Sequence, residues 1–187
     1  MKECTDQDLI KRLVQGENIA LNEIMARYKE RLFRFICRYV GNDEVAYDLL
    51  QETFTKLYFS AATYKPEYRF STWLFQIALN LCRDYDRKRK LMNFISIDDE
   101  ETPYDFEDPS FDPETIAQST QAINYIHQTI NLLPHKLKTA LILFTLEEHS
   151  QEECAALLGT TVKTIETRVY RARKLLEKKL LKKVDHF

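Results

Sequence analysis

Apolar residues recur at three- and four-residue intervals along most of the chain, which is the spacing of amphipathic α-helices. No alternating run of β-branched residues competes with this pattern. The three glycines, Gly16, Gly41 and Gly159, fall where one helical period stops and the next begins, as helix C-caps do. We therefore predict an all-α protein. The predicted helices are 6–15, 17–40, 43–62, 71–93, 114–132, 135–148, 150–158 and 161–183.

One segment interrupts the helical pattern. Residues 96–113 contain three of the five prolines, and residues 96–118 contain nine Asp and Glu but no Lys or Arg. Proline density and like-charge repulsion both oppose packing, so we interpret 96–113 as an extended linker. The chain then divides into two small helical domains, 1–95 and 114–187, joined by this acidic linker.

Charge is segregated along the chain, although the net charge is only −2. Residues 1–95 carry a net +3, residues 96–118 a net −9 and residues 119–187 a net +4. Two basic bodies suit contact with nucleic acid. The acidic segment is compatible with a solvated tether, with a mimic of nucleic acid in a basic channel, and with a strap that folds back to suppress DNA binding.

Several classes of protein are disfavoured by the composition. No apolar run approaches the length of a membrane span, and the N-terminus lacks the apolar core of a signal peptide, so a cytoplasmic protein is expected. The four cysteines form no close pair and the four histidines are dispersed, so we predict no metal site and no cofactor. Three glycines cannot supply a phosphate-binding loop, and an enzyme is not expected.

Two short helices near the C-terminus match a helix-turn-helix. Ser150 and Glu153 form an S-x-x-E capping box at the start of the first helix, Gly159 permits the turn, and Thr160 or Thr161 can cap the second helix. Apolar residues of the second helix would face inward: Val162, Ile165, Val169 and Ala172. Its other side is polar and basic, which favours DNA binding over a helical hairpin with a solvated face.

Residues on the polar side of that second helix are assigned different roles according to their position along it. Base reading is assigned to its N-terminal part, at Lys163, Thr164, Glu166 and Thr167. Phosphate contacts are assigned to the basic residues that follow, mainly Arg168, Arg171, Arg173 and Lys174. Glu166 would be repelled by phosphates unless it has a specific use. Accepting a hydrogen bond from a cytosine amino group and pairing with Arg168 or Lys163 explain it equally well.

Residues 70–90 form a segment long enough for a helix, with aromatic residues near its start and basic residues near its end. Aromatic faces stack on exposed bases and clustered cations bind phosphates, so the segment suits single-stranded nucleic acid. Trp73 is interpreted mainly as a core residue, whereas Tyr64, Tyr68 and Arg69 lie in a proline-bearing loop and are better candidates for base contacts. Asn80, polar within an apolar stretch, has donors and an acceptor for a flipped base.

The sequence DLLQETF at residues 48–54, with the threonine that follows it, places polar residues on one helical face, at Asp48, Gln51, Glu52 and Thr55, and apolar residues on another, at Leu50, Phe54 and Leu57. Such a stripe suits a protein partner or a plain solvated face. Followed by residues 70–90, this motif resembles region 2 of bacterial sigma factors, and residues 133–176 resemble their region 4. The whole chain resembles the small extracytoplasmic-function (ECF) group of the sigma-70 family, which keeps only these two regions.

The resemblance implies a sigma factor that binds core RNA polymerase, recognises the −35 and −10 promoter elements and promotes strand opening. It implies contact with the β′ clamp helices through Asp48, Leu49, Gln51, Glu52 and Phe54. It implies contact with −10 DNA through Tyr64, Lys65, Tyr68, Arg69, Ser71, Asn80, Arg83, Arg87 and Arg89. It implies contact with −35 DNA through Lys163, Thr164, Glu166, Thr167, Arg168, Arg171 and Arg173. Leu133 and Pro134 match the start of region 4, which meets the β-flap of the polymerase. The resemblance also implies an anti-sigma factor as a partner.

Two positions depart from the family pattern. Glu166 stands where many members carry Lys or Arg, and Lys163 where many carry Gly, so the promoter sequence stays open. A helix-turn-helix regulator that acts without core polymerase and an RNA-binding adaptor are the alternatives. Dependence on core polymerase distinguishes the sigma factor from the regulator.

Overall fold

The computed structural model describes residues 4–67, 69–95, 125–126 and 128–184, and within these ranges it contains helices but no strand. The helices are α1 (Asp6–Val14), α2 (Asn18–Val40), α3 (Asp43–Ser60), α4 (Phe70–Ile95), α5 (His135–Leu141), α6 (Gln151–Leu158) and α7 (Val162–Val184). The all-α prediction is confirmed. The predicted acidic linker, most of the predicted helix at 114–132 and the predicted base contact Tyr68 lie outside the described residues.

The helix ends follow from local sequence. At the start of α6, the Ser150 hydroxyl accepts a hydrogen bond from the Glu153 backbone N–H at 3.1 Å, and the Glu153 carboxylate accepts one from the Ser150 N–H at 3.0 Å. This is the predicted capping box. Gly41 after α2 and Gly159 after α6 adopt left-handed conformations, with φ of 73° and 57°. Both angles are easy for glycine and strained for other residues.

The first body consists of α1 to α4 around an apolar core. Along α2 the buried residues Leu32, Phe35, Ile36 and Tyr39 recur at three- and four-residue spacing and face the other helices. Phe35 meets Phe75 of α4 with ring centroids 5.4 Å apart. This packing fixes α3 and α4 against α2, so the outward faces of these two helices have defined positions.

The second body contains α5, α6 and α7. A π-helical turn, Ile142–Leu146, follows α5 where the sequence predicted one continuous helix over 135–148. The helix ends at Leu146, the side chain of the following Glu147 is buried, and Glu148 then takes a positive φ of 56°. The predicted end of this helix is therefore two residues too late, because the helical period does not reveal the tertiary role of Glu147.

The two bodies pack against each other, with the π-helical turn on α2 and α6 on α4. The buried apolar residues of both bodies form one cluster. The sequence predicts two bodies joined by an extended linker, and its helical pattern does not predict this packing. Packing between bodies depends on residues far apart in the chain, such as Arg38 and Glu147, which helical periodicity does not connect.

Candidate protein and nucleic-acid interfaces

The predicted polymerase-docking residues of α3 fall on two sides of the helix. Asp48, Gln51 and Glu52 are exposed, whereas Leu49 and Phe54 are only 8% and 5% exposed. The exposed three present acid and amide groups outward. The other two pack beneath them, so their direct contact area with a partner is small.

A groove of about 490 Å³ lies beside this face, between α2 and α3. Its apolar lining residues are Leu21, Met25, Tyr47, Leu50, Phe54, Tyr58 and Phe59. Phe59 is 80% exposed, which is unusual for so large an apolar side chain. Sequence reasoning missed this groove, although Tyr47, Gln51, Phe54 and Tyr58 recur at the spacing of one helical stripe. The groove continues the exposed α3 face into a larger, partly apolar surface.

The loop before α4 contains some of the predicted −10 contacts, and the ring of Tyr64 in this loop packs against other aromatic rings. Tyr64 packs against Trp73 and Phe70, with ring centroids 5.2 Å and 5.7 Å apart, and burial raises its pKa. Trp73 is partly buried within this cluster, and Lys65 is exposed. Tyr64 therefore offers only part of its ring to a base, and the cluster mainly supports the loop.

Arg69 and Ser71 continue this surface onto α4. Ser71 is partly buried, whereas the Arg69 side chain is 77% exposed and its Nη1 lies 2.5 Å from Oε1 of Glu153 in α6. Although burial raises the pKa of Glu153, hydrogen bonds from the Ser150 backbone and from Arg69 hold it below its usual value. Glu153 is therefore a carboxylate in direct contact with the predicted −10 surface.

Asn80 lies on the exposed side of α4, one turn after Gln76. Gln76 Nε2 donates a hydrogen bond to Asn80 Oδ1 at 3.1 Å, which leaves the two amino hydrogens of Asn80 available as donors. A base with acceptor atoms on its exposed edge matches this orientation.

The basic end of α4 contains its own acids. Arg87 pairs with Asp84 at 2.7 Å and Arg89 approaches Asp86 at 3.9 Å, each three residues apart. Arg83 is partly buried. These neighbouring carboxylates reduce the positive potential of this end, so its attraction for phosphate is weaker than the run of basic residues suggested.

The helix-turn-helix is built as predicted. Thr161, one of the two predicted capping residues, accepts a hydrogen bond from the Thr164 backbone N–H at 3.3 Å at the start of α7. Ile165, Val169 and Ala172 are buried against the second body, and Val162 is partly buried. The face opposite these residues is thereby directed away from the core.

The outward face of α7 carries most of the predicted −35 residues. Lys163, Glu166, Thr167, Arg171 and Arg173 are exposed. Glu166 forms no ion pair with any residue that the structure describes, including Lys163. The intrahelical pair considered from the sequence is therefore not formed, which favours a role in base contact.

Two of the predicted −35 residues are less accessible. Thr164 and Arg168 are partly buried, and the Thr164 hydroxyl lies 2.9 Å from the Thr161 hydroxyl. Thr164 thus contributes to the cap of α7 as well as to its surface. Arg173 Nη2 also donates to the Thr145 hydroxyl at 3.4 Å, which connects α7 to the π-helical turn.

Two kinds of site are not found in the described part of the chain. It contains no cluster of three or more His, Cys, Asp or Glu side chains arranged to hold a metal ion. None of its helices is long and apolar enough to cross a membrane.

The fold and its surfaces define a two-body, all-α protein with a helix-turn-helix, of the kind that binds duplex DNA. The family model for sigma-70 region 2 matches residues 24–91, and that for sigma-70 region 4 matches residues 123–176. The ECF RNA polymerase sigma-E factor of Haemophilus influenzae is 33% identical over 96% of this chain and 97% of the relative. That of Salmonella typhimurium is 30% identical over 96% of both chains.

A solved structure has a similar fold over nearly the whole chain. CnrH in complex with the cytosolic domain of CnrY is similar with a TM-score of 0.69, 25% identity, and coverage of 94% of this chain and 96% of that one. The chain therefore belongs to the sigma-70 family, in its ECF group. This confirms the resemblance recognised in the motifs at 48–54, 70–90 and 133–176.

Proposed function

We propose that this chain is an ECF-type sigma factor that binds core RNA polymerase, recognises the −35 and −10 promoter elements and promotes strand opening in the cytoplasm. The observation that carries the proposal is the separation of three surfaces: the exposed α3 face, the Asn80 side of α4, and the outward face of α7. We assign region 2 to residues 1–95 and region 4 to residues 114–187, with 96–113 between them. The role is one of binding, and no catalytic residue is assigned.

Core polymerase would bind the α3 face. Asp48, Gln51 and Glu52 supply the polar contacts with the β′ clamp helices, and Leu49 and Phe54 support them from below. The neighbouring groove adds apolar area, including the exposed ring of Phe59. Apolar contact provides affinity, while the acids select a basic partner. We also propose an anti-sigma factor as a partner, because the same groove offers it an apolar surface to cover.

Strand opening would depend on the −10 surface. Unstacking a base costs a few kcal/mol, and capture of the extruded base offsets that cost. Asn80 would donate hydrogen bonds to the base edge. Arg69 would bind the adjoining backbone or stack on the base, and Arg83, Arg87 and Arg89 would hold phosphates beyond it. The opened strand is then bound more tightly than the duplex, which favours melting.

The −35 element would be read by α7 in the major groove. Lys163, Glu166 and Thr167 lie in its first two turns, where a recognition helix meets base edges. Arg171 and Arg173 lie further along and would contact phosphates, which set the orientation without reading sequence. Leu133 and Pro134, just before α5, are assigned to the contact with the β-flap.

Reconstituted transcription tests the function. The chain should direct initiation at defined start sites when it is added to core polymerase, and core polymerase alone should not use those sites. The same promoters should show no tight footprint with the chain alone. A strong footprint without polymerase would instead identify a helix-turn-helix regulator and would contradict the proposal.

Glu166→Ala and Arg171→Ala should differ in their effects on promoter choice. Loss of the Glu166 carboxylate should reduce discrimination at one −35 base pair by about 1–3 kcal/mol, because one base contact is lost. Loss of the Arg171 guanidinium should weaken binding to all −35 sequences equally. It should also reduce the slope of binding affinity against salt concentration by about one, because one fewer ion is released on binding. Binding of holoenzyme to a library of −35 variants at several salt concentrations measures both. Equal effects on all sequences by Glu166→Ala would exclude base reading by this residue.

A further inference from the structure

The N-terminal helix α1 lies outside the three proposed binding surfaces, and it is fixed firmly on α2. Its residues Leu9 and Leu13 are buried in the core of the first body. Asp6, in its first turn, accepts a hydrogen bond from the Tyr28 hydroxyl at 2.5 Å and pairs with Arg27 at 3.0 Å. Because apolar burial and hydrogen bonds to a charged group both hold α1, it can serve as a rigid support for a segment that contacts it.

The loop that comes before α4, at residues 64–67, is such a segment. Gln7 Nε2 donates a hydrogen bond to the Pro66 backbone carbonyl at 3.4 Å. The Gln7 side chain is also hydrogen-bonded to Tyr64, so that burial raises the pKa of the Tyr64 hydroxyl and the bond with Gln7 opposes this change. In addition, α1 contacts the 3₁₀ turn Ala61–Thr63, from which the loop begins. The loop is therefore joined to α1 at more than one point.

A ring cluster of Tyr28, Tyr64, Phe70 and Trp73 supports the same loop from beneath. Tyr28 of α2 meets Phe70 edge-on with ring centroids 5.6 Å apart, and Phe70 meets Tyr64 with centroids 5.7 Å apart. Trp73 packs against Tyr64 with centroids 5.2 Å apart. Because the Tyr28 hydroxyl is bound by Asp6, α1 reaches the loop by a second route, through these rings.

A loop that is held in this way loses less freedom when it binds. Ordering a flexible segment at an interface costs free energy, so a segment that is already ordered binds its partner more tightly. Pro66 itself fixes one backbone dihedral angle of the loop. Lys65 remains exposed although the backbone around it is held, so the contacts with α1 do not cover the surface offered to DNA.

We propose that α1 is a positioning element of the −10 site: through Gln7 and Asp6 it holds the loop at 64–67 in the shape that binds the opened strand. Neither residue is placed in contact with DNA. Gln7 acts through the backbone at Pro66, and Asp6 acts through Tyr28 and the ring cluster. This inference rests on the proposed function, since it concerns affinity at the same −10 site.

Hydrogen exchange of the free chain tests whether α1 holds the loop. Gln7→Leu removes the hydrogen bonds of an exposed side chain, so α1 should stay folded. The Tyr64 backbone N–H donates to the Ala61 carbonyl at 3.2 Å where the loop begins, and it should exchange about two- to tenfold faster in this variant, the effect of one lost hydrogen bond. Exchange within α4 should be unchanged. Gln15→Leu is the matched control, because it makes the same substitution at an exposed position immediately after α1.

Binding of the opened strand tests the consequence for function. Holoenzyme reconstituted with Gln7→Leu should bind a single-stranded −10 oligonucleotide about two- to tenfold more weakly than wild-type holoenzyme. Its affinity for duplex −35 DNA, and the affinity of the chain for core polymerase, should match those of Gln15→Leu, because α3 and α7 are unchanged. A merely structural role for Gln7 would not separate these affinities. Tyr28→Phe removes the hydroxyl that Asp6 binds but keeps the ring, and it should lower −10 affinity in the same selective way.

The outcomes separate this positioning role from the sigma-factor function. Unchanged exchange at Tyr64 in Gln7→Leu would overturn the holding of the loop by α1, whatever polymerase does. Faster exchange with a −10 affinity equal to that of Gln15→Leu would overturn the positioning role, and so would equal losses of −10 and −35 affinity. If the wild-type chain does not bind core polymerase, the proposed function fails, while the exchange result still decides whether α1 holds the loop.

Discussion

Replacing Gln51 and Glu52 together by arginine is expected to lower affinity for core polymerase about a hundredfold, which corresponds to about 2.7 kcal/mol. Both residues are exposed on the α3 face. The substitutions would therefore place two positive charges against the basic surface of the polymerase that the acid and amide groups are proposed to contact. Like charges placed against each other cost several kcal/mol at an interface. Titration of labelled chain with core polymerase, at two salt concentrations, measures this loss.

The double variant should remain folded. The only ion pair of Glu52 within the described residues joins it to Lys56 at 3.5 Å, and both side chains are about half exposed, so its contribution to stability is small. Glu30→Arg is a suitable control, because Glu30 is exposed on α2 and does not line the groove. If Glu30→Arg weakens binding as much as the double variant does, the effect is one of net charge and the α3 face is not the docking site.

Phe35→Ala is expected to lower the free energy of unfolding by about 3–5 kcal/mol, the cost of a large aromatic cavity in a core. Phe35 is fully buried and contacts both Tyr39 and Phe75, so its loss removes packing between α2 and α4. That loss is a large fraction of the stability of an ordinary domain. Urea unfolding followed by circular dichroism measures it.

Phe59→Ala is the control for Phe35→Ala, because it removes the same side chain from an exposed position instead of a buried one. Phe59 is 80% exposed at the edge of the groove, so its removal should change stability by less than about 0.5 kcal/mol. It should nevertheless weaken binding to core polymerase. Equal destabilisation by the two substitutions would contradict the assignment of the core.

The sequence alone was enough to predict the helices and the helix-turn-helix. Amphipathic spacing and local capping signals are properties of short stretches, so Ser150, Gly159 and Ile165 could be assigned before any packing was known. The family resemblance then related the motifs at 48–54 and 163–173 to two different partners. These features need no knowledge of which residues meet across the molecule.

Features that depend on distant contacts could not be predicted in the same way. The docking assignment of Leu49 and Phe54 followed from the family resemblance and not from the helical period, and both side chains are buried where α3 packs against the rest of the first body. The engagement of Arg69 by Glu153 joins residues 84 positions apart. Each case is settled by tertiary packing, which a helical period does not specify.

Glu153 illustrates how one side chain can limit evolutionary change. Its carboxylate caps α6 through the Ser150 N–H, pairs with Arg69 and lies 3.5 Å from His149 Nδ1. A mutation at this position would alter the stability of the DNA-binding motif and the arrangement of the two bodies at once. Arg38 takes part only in the contact with Leu146 and Glu147, so a change in the packing of the two bodies is expected to arise more readily at Arg38, which can vary without loss of the α6 cap.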